Sequence, residues 1–249
     1  MAVNAKFDDR MLLVFQEAIL SLKSSLLEQL DLSVLQSLPE FQRSVQANLP
    51  RLNDGGRLIV GGEDSDLPFV GTELWTSMPA PSEGAMVSLR QRSVLPWLHL
   101  TMDLIRRTFE LLEENVSRSL EEIASHQGTS TLRIPSLLRS YVIDRYLQRL
   151  KETGEAIALE SYQVEYMAPF TVGKERFNLS YNNEQCNLRR MGTLPQGTRT
   201  ILAAIRAYYI IASERFIDNV FRKVSVALHN QVQDEFCTCI MHELFMGHL

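Results

Sequence analysis

The clearest pattern along this chain is apolar residues recurring every three or four positions. Near the N-terminus Leu12, Phe15, Ile19, Leu22, Leu26 and Leu30 recur in this way, the period that places side chains on one face of an α-helix. Asp8 or Asp9 offers a carboxylate to the free amides of its first turn. Pro39 and Pro50 bound a short second helix. After Pro96 comes a stripe of Ile105, Phe109, Leu112, Val116, Leu120 and Ile123. The opposite face carries Arg106, Arg107, Glu110, Glu113, Glu114, Arg118, Glu121 and Glu122, so one side is buried and the other solvated. The run His126-Gln127-Gly128-Thr129-Ser130 ends this helix, because glycine tolerates the closing left-handed turn.

A further helix is predicted from about Pro135 to Tyr166, with Leu138, Val142, Tyr146, Leu147 and Leu150 on one side. Gly154 is its weak point, costing about 1 kcal/mol against alanine, and a bend is expected there. The longest stripe is the last: Leu202, Ile205, Tyr209, Ala212, Phe216, Val220, Val224 and Leu228, continuing through Val232, Phe236 and Leu244. Thr198 is placed to cap it. Residues 198–230 alone span on the order of 50 Å as a helix.

Two stretches lack the pattern. Residues 50–96 hold six of the twelve glycines and five of the nine prolines, and only Arg57–Val60 reads as a strand. Residues 167–198, with Pro169, Gly173, Gly192, Pro195 and Gly197, read as a second irregular region. Long helices with continuous stripes need long partners. The expected architecture is therefore all-α: one domain over residues 1–249, an elongated antiparallel four-helix bundle. It would carry an irregular insert at 50–96 and a variable loop at 167–198.

Composition narrows the classes of function. An apolar share of 45% is too high for wholesale disorder. A net charge of −5 argues against a generally basic nucleic-acid binder. Three cysteines, Cys186, Cys237 and Cys239, do not make a disulfide scaffold and point to a reducing compartment. No uncharged apolar run reaches the roughly 18 residues of a membrane span. Lys6, Asp8, Asp9 and Arg10 do not read as a signal peptide. The expectation is a cytoplasmic protein.

The search for chemistry assigns no catalytic, cofactor-binding or metal-ligating residue. Gly55-Gly56 and Gly61-Gly62 lack the lysine and serine or threonine of a phosphate loop. His242-Glu243 is followed by a second histidine at 248, six positions on, where a zinc-protease helix needs four. Cys237, Cys239, His242 and His248 lack the paired spacing of a structural zinc site and read as a C-terminal helix. Cys186 has no histidine near it in sequence. The chain is expected to need no cofactor and not to be an enzyme. Basic bias appears twice. Arg133, Arg139, Arg145, Arg149 and Lys151 form one group, read as a solvated face balanced by the acidic helix 103–122. Lys174, Arg176, Arg189 and Arg190 face only Glu175 and Glu184 in the second irregular region, a net of +2. Tyr208, Tyr209, Phe216 and Phe221 form an aromatic cluster in which Tyr208 and Phe221 lie off the main stripe.

The run Ile205-Arg206-Ala207-Tyr208-Tyr209-Ile210-Ile211-Ala212-Ser213-Glu214-Arg215-Phe216-Ile217-Asp218-Asn219-Val220 resembles the GTPase effector region of dynamin-related proteins. Leu95-Pro96-Trp97 through Val116 resembles that family's middle region, and Arg145-Tyr146-Leu147 through Tyr166 the helix preceding the variable loop of its stalk. The likeness covers about 95–245, without a GTPase domain. It implies a stalk that self-assembles in membrane remodelling or fission, coupled to a GTPase domain in cis or in trans. The implied location is the cytoplasm, peripherally on an organelle membrane. The loop 167–198 would meet an anionic membrane or a target through Lys174, Arg176, Arg189 and Arg190. Tyr208, Tyr209, Phe216 and Phe221 would serve bundle and assembly contacts. The alternative is a stand-alone helical adaptor that binds a partner protein's helix in a groove.

Overall fold

The computed structural model describes residues 9–52, 58–59, 83–126, 139–167, 173–190, 192 and 194–246. The protein is all-α. Helix α1 is Asp9–Ala47, α2 is Glu83–Val94 and α3 is Pro96–His126. A π-helical segment, Ser140–Leu147, leads into α4, Gln148–Met167. Helix α5 is Lys174–Arg190 and α6 is Gln196–Met246. One two-residue antiparallel ladder pairs β1, Arg51–Leu52, with β2, Leu58–Ile59. It includes half of the strand-like run; Arg57 and Val60 lie outside the described residues. So do Asp8, Pro135 and Gln127–Ser130.

Contacts divide the chain into two compact units where the sequence reading expected one domain. The first comprises 1–38, 104–156 and 222–249; the second comprises 39–103 and 157–221.

In the first unit the predicted stripes are the core. Ile19, Leu22, Leu26 and Leu30 of α1 are buried, as are Ile105, Phe109, Leu112, Val116 and Leu120 of α3. Val142, Tyr146, Leu147 and Leu150 join them, with Val224, Leu228, Val232, Phe236 and Ile240 of α6. Polar contacts connect the same four segments. Ser25 and Ser119 hydroxyls lie 2.9 Å apart between α1 and α3. Lys23 donates to the Gln233 carbonyl at 2.5 Å, and Asp31 lies 4.0 Å from His229, so α1 and α6 run antiparallel. The Tyr146 hydroxyl donates to the Gln231 carbonyl at 3.1 Å, and its ring meets Phe236 edge-on at 5.0 Å. Gly154 does not interrupt α4. It is buried, and a Cβ there would stand at an ordinary contact distance, 3.4 Å, from Ile105 Cγ2, which leaves little room for a longer side chain against α3. The departure from α geometry falls instead upstream, in the π segment, where each turn holds more residues than an α turn.

In the second unit Pro39 does not end a helix. It sits inside α1, which continues to Ala47. A proline inside a helix forfeits one backbone hydrogen bond and costs about 3 kcal/mol. Burial of Phe41 and Val45 beyond it offsets that cost. Trp97, in the first turn of α3, stacks on Phe216 at 4.8 Å and meets Tyr209 edge-on at 5.2 Å. Phe41 completes the cluster, 6.3 Å from Phe216. Leu89 of α2 packs on Ile201 and Ile205, with Met86 beside them.

Two expected irregular regions contain helices. Residues 50–96 hold α2, and 167–198 hold α5. The reason is legible in α5 afterwards. Phe177, Tyr181, Glu184 and Leu188 follow helical spacing, but an acidic residue interrupts the stripe and glycines flank it. Gly173 and Gly192 have φ of +101° and +138°, backbone that L side chains rarely adopt, and so they mark the ends of the helix and not its absence. Thr198 does not cap α6. The helix begins at Gln196, after Pro195, whose carbonyl accepts the Arg199 amide at 3.0 Å.

Candidate interaction surface

Helix α5 carries all four basic residues predicted for target contact. Lys174 and Arg176 lie in its first turn, Arg189 and Arg190 in its last, and all four are exposed. The segment is a helix and not a loop, so the two pairs do not converge. Sixteen residues of helix separate Lys174 from Arg190, about 24 Å at 1.5 Å per residue. Arg189 and Arg190 complement the negative end of the helix dipole. Arg176 is committed to Glu214 of α6. Among the described residues Lys174, Arg189 and Arg190 form no ion pair.

Beneath α5, the geometry is that of two antiparallel helices in fixed register. Arg176 meets Glu214, Glu184 meets Arg206 at 2.8 Å, and Leu188 packs with Leu202 and Ala203. A step of eight residues along α5, from 176 to 184, is matched by eight back along α6, from 214 to 206. The next four, to 188, are matched by four, to 202. Tyr181, Leu194 and Leu52 border the Leu188 contact. Glu184 is almost fully buried, at 6% exposure, and Arg206 is the cation facing it. From the sequence alone Glu184 is one charge in an irregular region, and nothing distinguishes Arg206 or Glu214.

The aromatic residues expected at bundle and assembly contacts lie mostly in the interior. Tyr208, Tyr209 and Phe216 are fully buried within the second unit, and Phe221 is half-buried. The first three are interior packing and present no surface to another molecule. Tyr208, off the main stripe, is covered by Arg90 of α2, whose guanidinium carbon lies 5.3 Å from its ring centroid. Beside it Arg215 grips Glu165 of α4 with two hydrogen bonds, 2.8 Å from Nε and 2.5 Å from Nη2. Glu165 is 3% exposed. That bidentate bond raises the Arg215 pKa above its ordinary value. Burial pushes the Tyr208 phenol up, and the Glu165 charge adds to it. Nothing in the spacing of the sequence pairs residues 165 and 215, which are 50 apart.

In the first basic group the contacts shown are to α6 and to a neighbouring ring, not to the acidic face of α3. Arg149 pairs with Glu235 of α6 at 3.5 Å and donates to Cys239 Sγ at 3.7 Å. Arg145 lies over the Tyr141 ring at 5.2 Å. Cys186 is exposed, and Cys237 and Cys239 are half-buried. His242 is exposed, whereas His248 lies outside the described residues. Among the described residues no three His, Cys, Asp or Glu side chains group to hold a metal ion, and no helix is long and apolar enough to cross a membrane. Glu110, Glu113, Glu114, Arg118 and Glu121 of α3 line one wide-open surface depression, a solvated charged face. Comparison with protein-family models, curated proteins and solved structures finds no match.

Proposed function

We propose that this chain is a catalytically silent helical scaffold of the dynamin-stalk type, which associates with further copies of itself and meets an anionic membrane surface through α5. On this reading the four segments joined in the first unit are part of a four-helix stalk. A GTPase domain, in cis or in trans, supplies the nucleotide chemistry, and the protein works in the cytoplasm, peripherally on an organelle membrane. The observation that carries the reading is the exposed Arg189-Arg190 pair with Lys174, without an ion-pair partner among the described residues, on the segment that the family likeness assigns to target contact. Cations held near an anionic leaflet gain about 1 kcal/mol each, and many weak contacts on one surface add up once copies associate.

The test is co-sedimentation with acidic and with neutral liposomes, beside light scattering over a wide concentration range at low and high salt. Binding to acidic liposomes that is lost in Arg189→Glu/Arg190→Glu, with growth beyond a dimer, supports the reading. Unchanged sedimentation of that variant rejects the α5 assignment.

A second reading, a helical adaptor for a partner protein, is favoured by one feature. Leu13, Leu20 and Leu35 of α1 are all more than half exposed, and their spacing keeps them on one helix face. A fixed, salt-indifferent small oligomer would favour it.

A further inference from the structure

We propose that α5 is a charge-latched strap, a helix that opens from α6 as a unit while the helix beneath it stays folded. Three observations within the second unit carry this. First, α5 is bracketed by two glycines in positive-φ backbone, Gly173 and Gly192, so its ends are turning points and not continuations of α4 or α6. Second, charge takes part in its grip at two positions. Two ion pairs, Arg176–Glu214 and Glu184–Arg206, hold it to α6 at positions eight residues apart. Third, its apolar anchor is small. Leu188 is its one buried apolar side chain among the described residues, with Phe177 and Tyr181 half-buried, and Leu179 points out at 64% exposure. The helix beneath is anchored otherwise. Leu202, Ile205, Tyr208, Tyr209, Ala212 and Phe216 are buried, several of them against helices other than α5. Segments with few buried apolar contacts open at lower free energy than the core they cover.

The antiparallel register makes the latch specific. Each carboxylate faces a cation in this alignment, and a slip by one helical turn would move both pairs apart together. The strap is therefore closed by an exposed pair that salt weakens, Arg176–Glu214, and a buried pair that salt screens less, Glu184–Arg206, and it reopens without unpacking Trp97 or Tyr209. This inference stands on the α5–α6 geometry and does not depend on membrane binding.

Hydrogen exchange read by mass spectrometry on the full chain tests it. Peptides from 174–190 should exchange faster than those from 201–217 at low salt. In about 1 M NaCl, where charges are screened beyond about 3 Å, exchange in α5 should accelerate several-fold while that of α6 stays put. Arg176→Glu should accelerate α5 by up to about fivefold, the reach of an exposed ion pair. Arg176→Glu/Glu214→Arg should return it to the wild-type rate. These two variants alter exposed residues, so folding of the core is not at stake as it would be at Arg206. Exchange of α5 and α6 at one common rate, or an α5 rate indifferent to salt and to Arg176→Glu, would overturn the proposal.

Discussion

The indole Nε1 of Trp97 donates to the hydroxyl of Tyr209 at 2.9 Å, and that hydroxyl donates onward to the Val45 carbonyl at 2.5 Å. One phenol thus links α3, α6 and α1 where all three groups are buried. Removing it costs more than a hydrogen bond, because the indole N–H is left dry and unpaired. The Val45 carbonyl suffers less, since it also accepts the Asn48 amide at 3.2 Å. Tyr209→Phe should destabilise the protein by about 1–3 kcal/mol, read from denaturant unfolding. A double-mutant cycle with Trp97→Phe should show coupling well above zero. Additive losses would mean that the two groups do not interact in solution.

Arg215 and Glu165 make the corresponding prediction for a charge pair. Arg215→Met strands the Glu165 carboxylate, which is almost fully buried, and should cost on the order of 3 kcal/mol. Glu165→Leu added to Arg215→Met should recover most of that loss, because the stranded charge is gone. A double variant no more stable than the single one would place the cost in packing and not in charge.

Tyr146, Tyr208 and Tyr209 have phenol pKa values raised above the ordinary 10, in each case first by burial. A second cause differs: the neighbouring Cys239 and Glu235 act on Tyr146, and Glu165 acts on Tyr208. The fold holds the neutral form, so these residues contribute stability that is fully present below pH 10. That contribution is lost as pH rises from 10 through the raised values. Alkaline titration should show part of the phenolate absorbance appearing only together with loss of helical circular dichroism. If all seven tyrosines ionised before any loss of helix, the burial of these three would be wrong.

Gly154 should tolerate one carbon and no more. A Cβ there meets Ile105 Cγ2 at 3.4 Å and Phe109 Cε2 at 3.7 Å, ordinary contact distances. Gly154→Ala should therefore raise the melting temperature, since alanine gains up to about 1 kcal/mol of helix propensity over glycine. Gly154→Leu should lower it, because the further carbons have to displace α3, and overpacking costs about 1–3 kcal/mol. A loss of stability with alanine would mean that α3 and α4 lie closer than described.

The sequence by itself determined which helix faces are buried. The stripes 105–120 and 202–228 lie in the interior residue for residue, and so does the stripe through Leu30 where its side chains are described. A repeat of three and four is a property of the helix alone, and burying one face follows from the hydrophobic effect without knowledge of the partner. The all-α class was legible for the same reason, and Pro96 marked the start of α3.

Tertiary structure decided what depends on distant neighbours. Whether Pro39 breaks a helix depends on what Phe41 and Val45 bury beyond it, and they pack near Phe216 and Tyr209. Helix α5 has too polar a composition to be seen as helix from its own residues. Its buried Glu184 makes sense only opposite Arg206, 22 positions later. The same holds for Arg176, expected at a membrane or target until Glu214 is placed beside it, and for Tyr208, expected off the main stripe at a bundle or assembly contact until Arg90 covers it. Periodicity reports the side of a helix that avoids water. It carries no information about which opposite charge will stand across from a residue, because that is set by the register of two helices and not by the spacing within one.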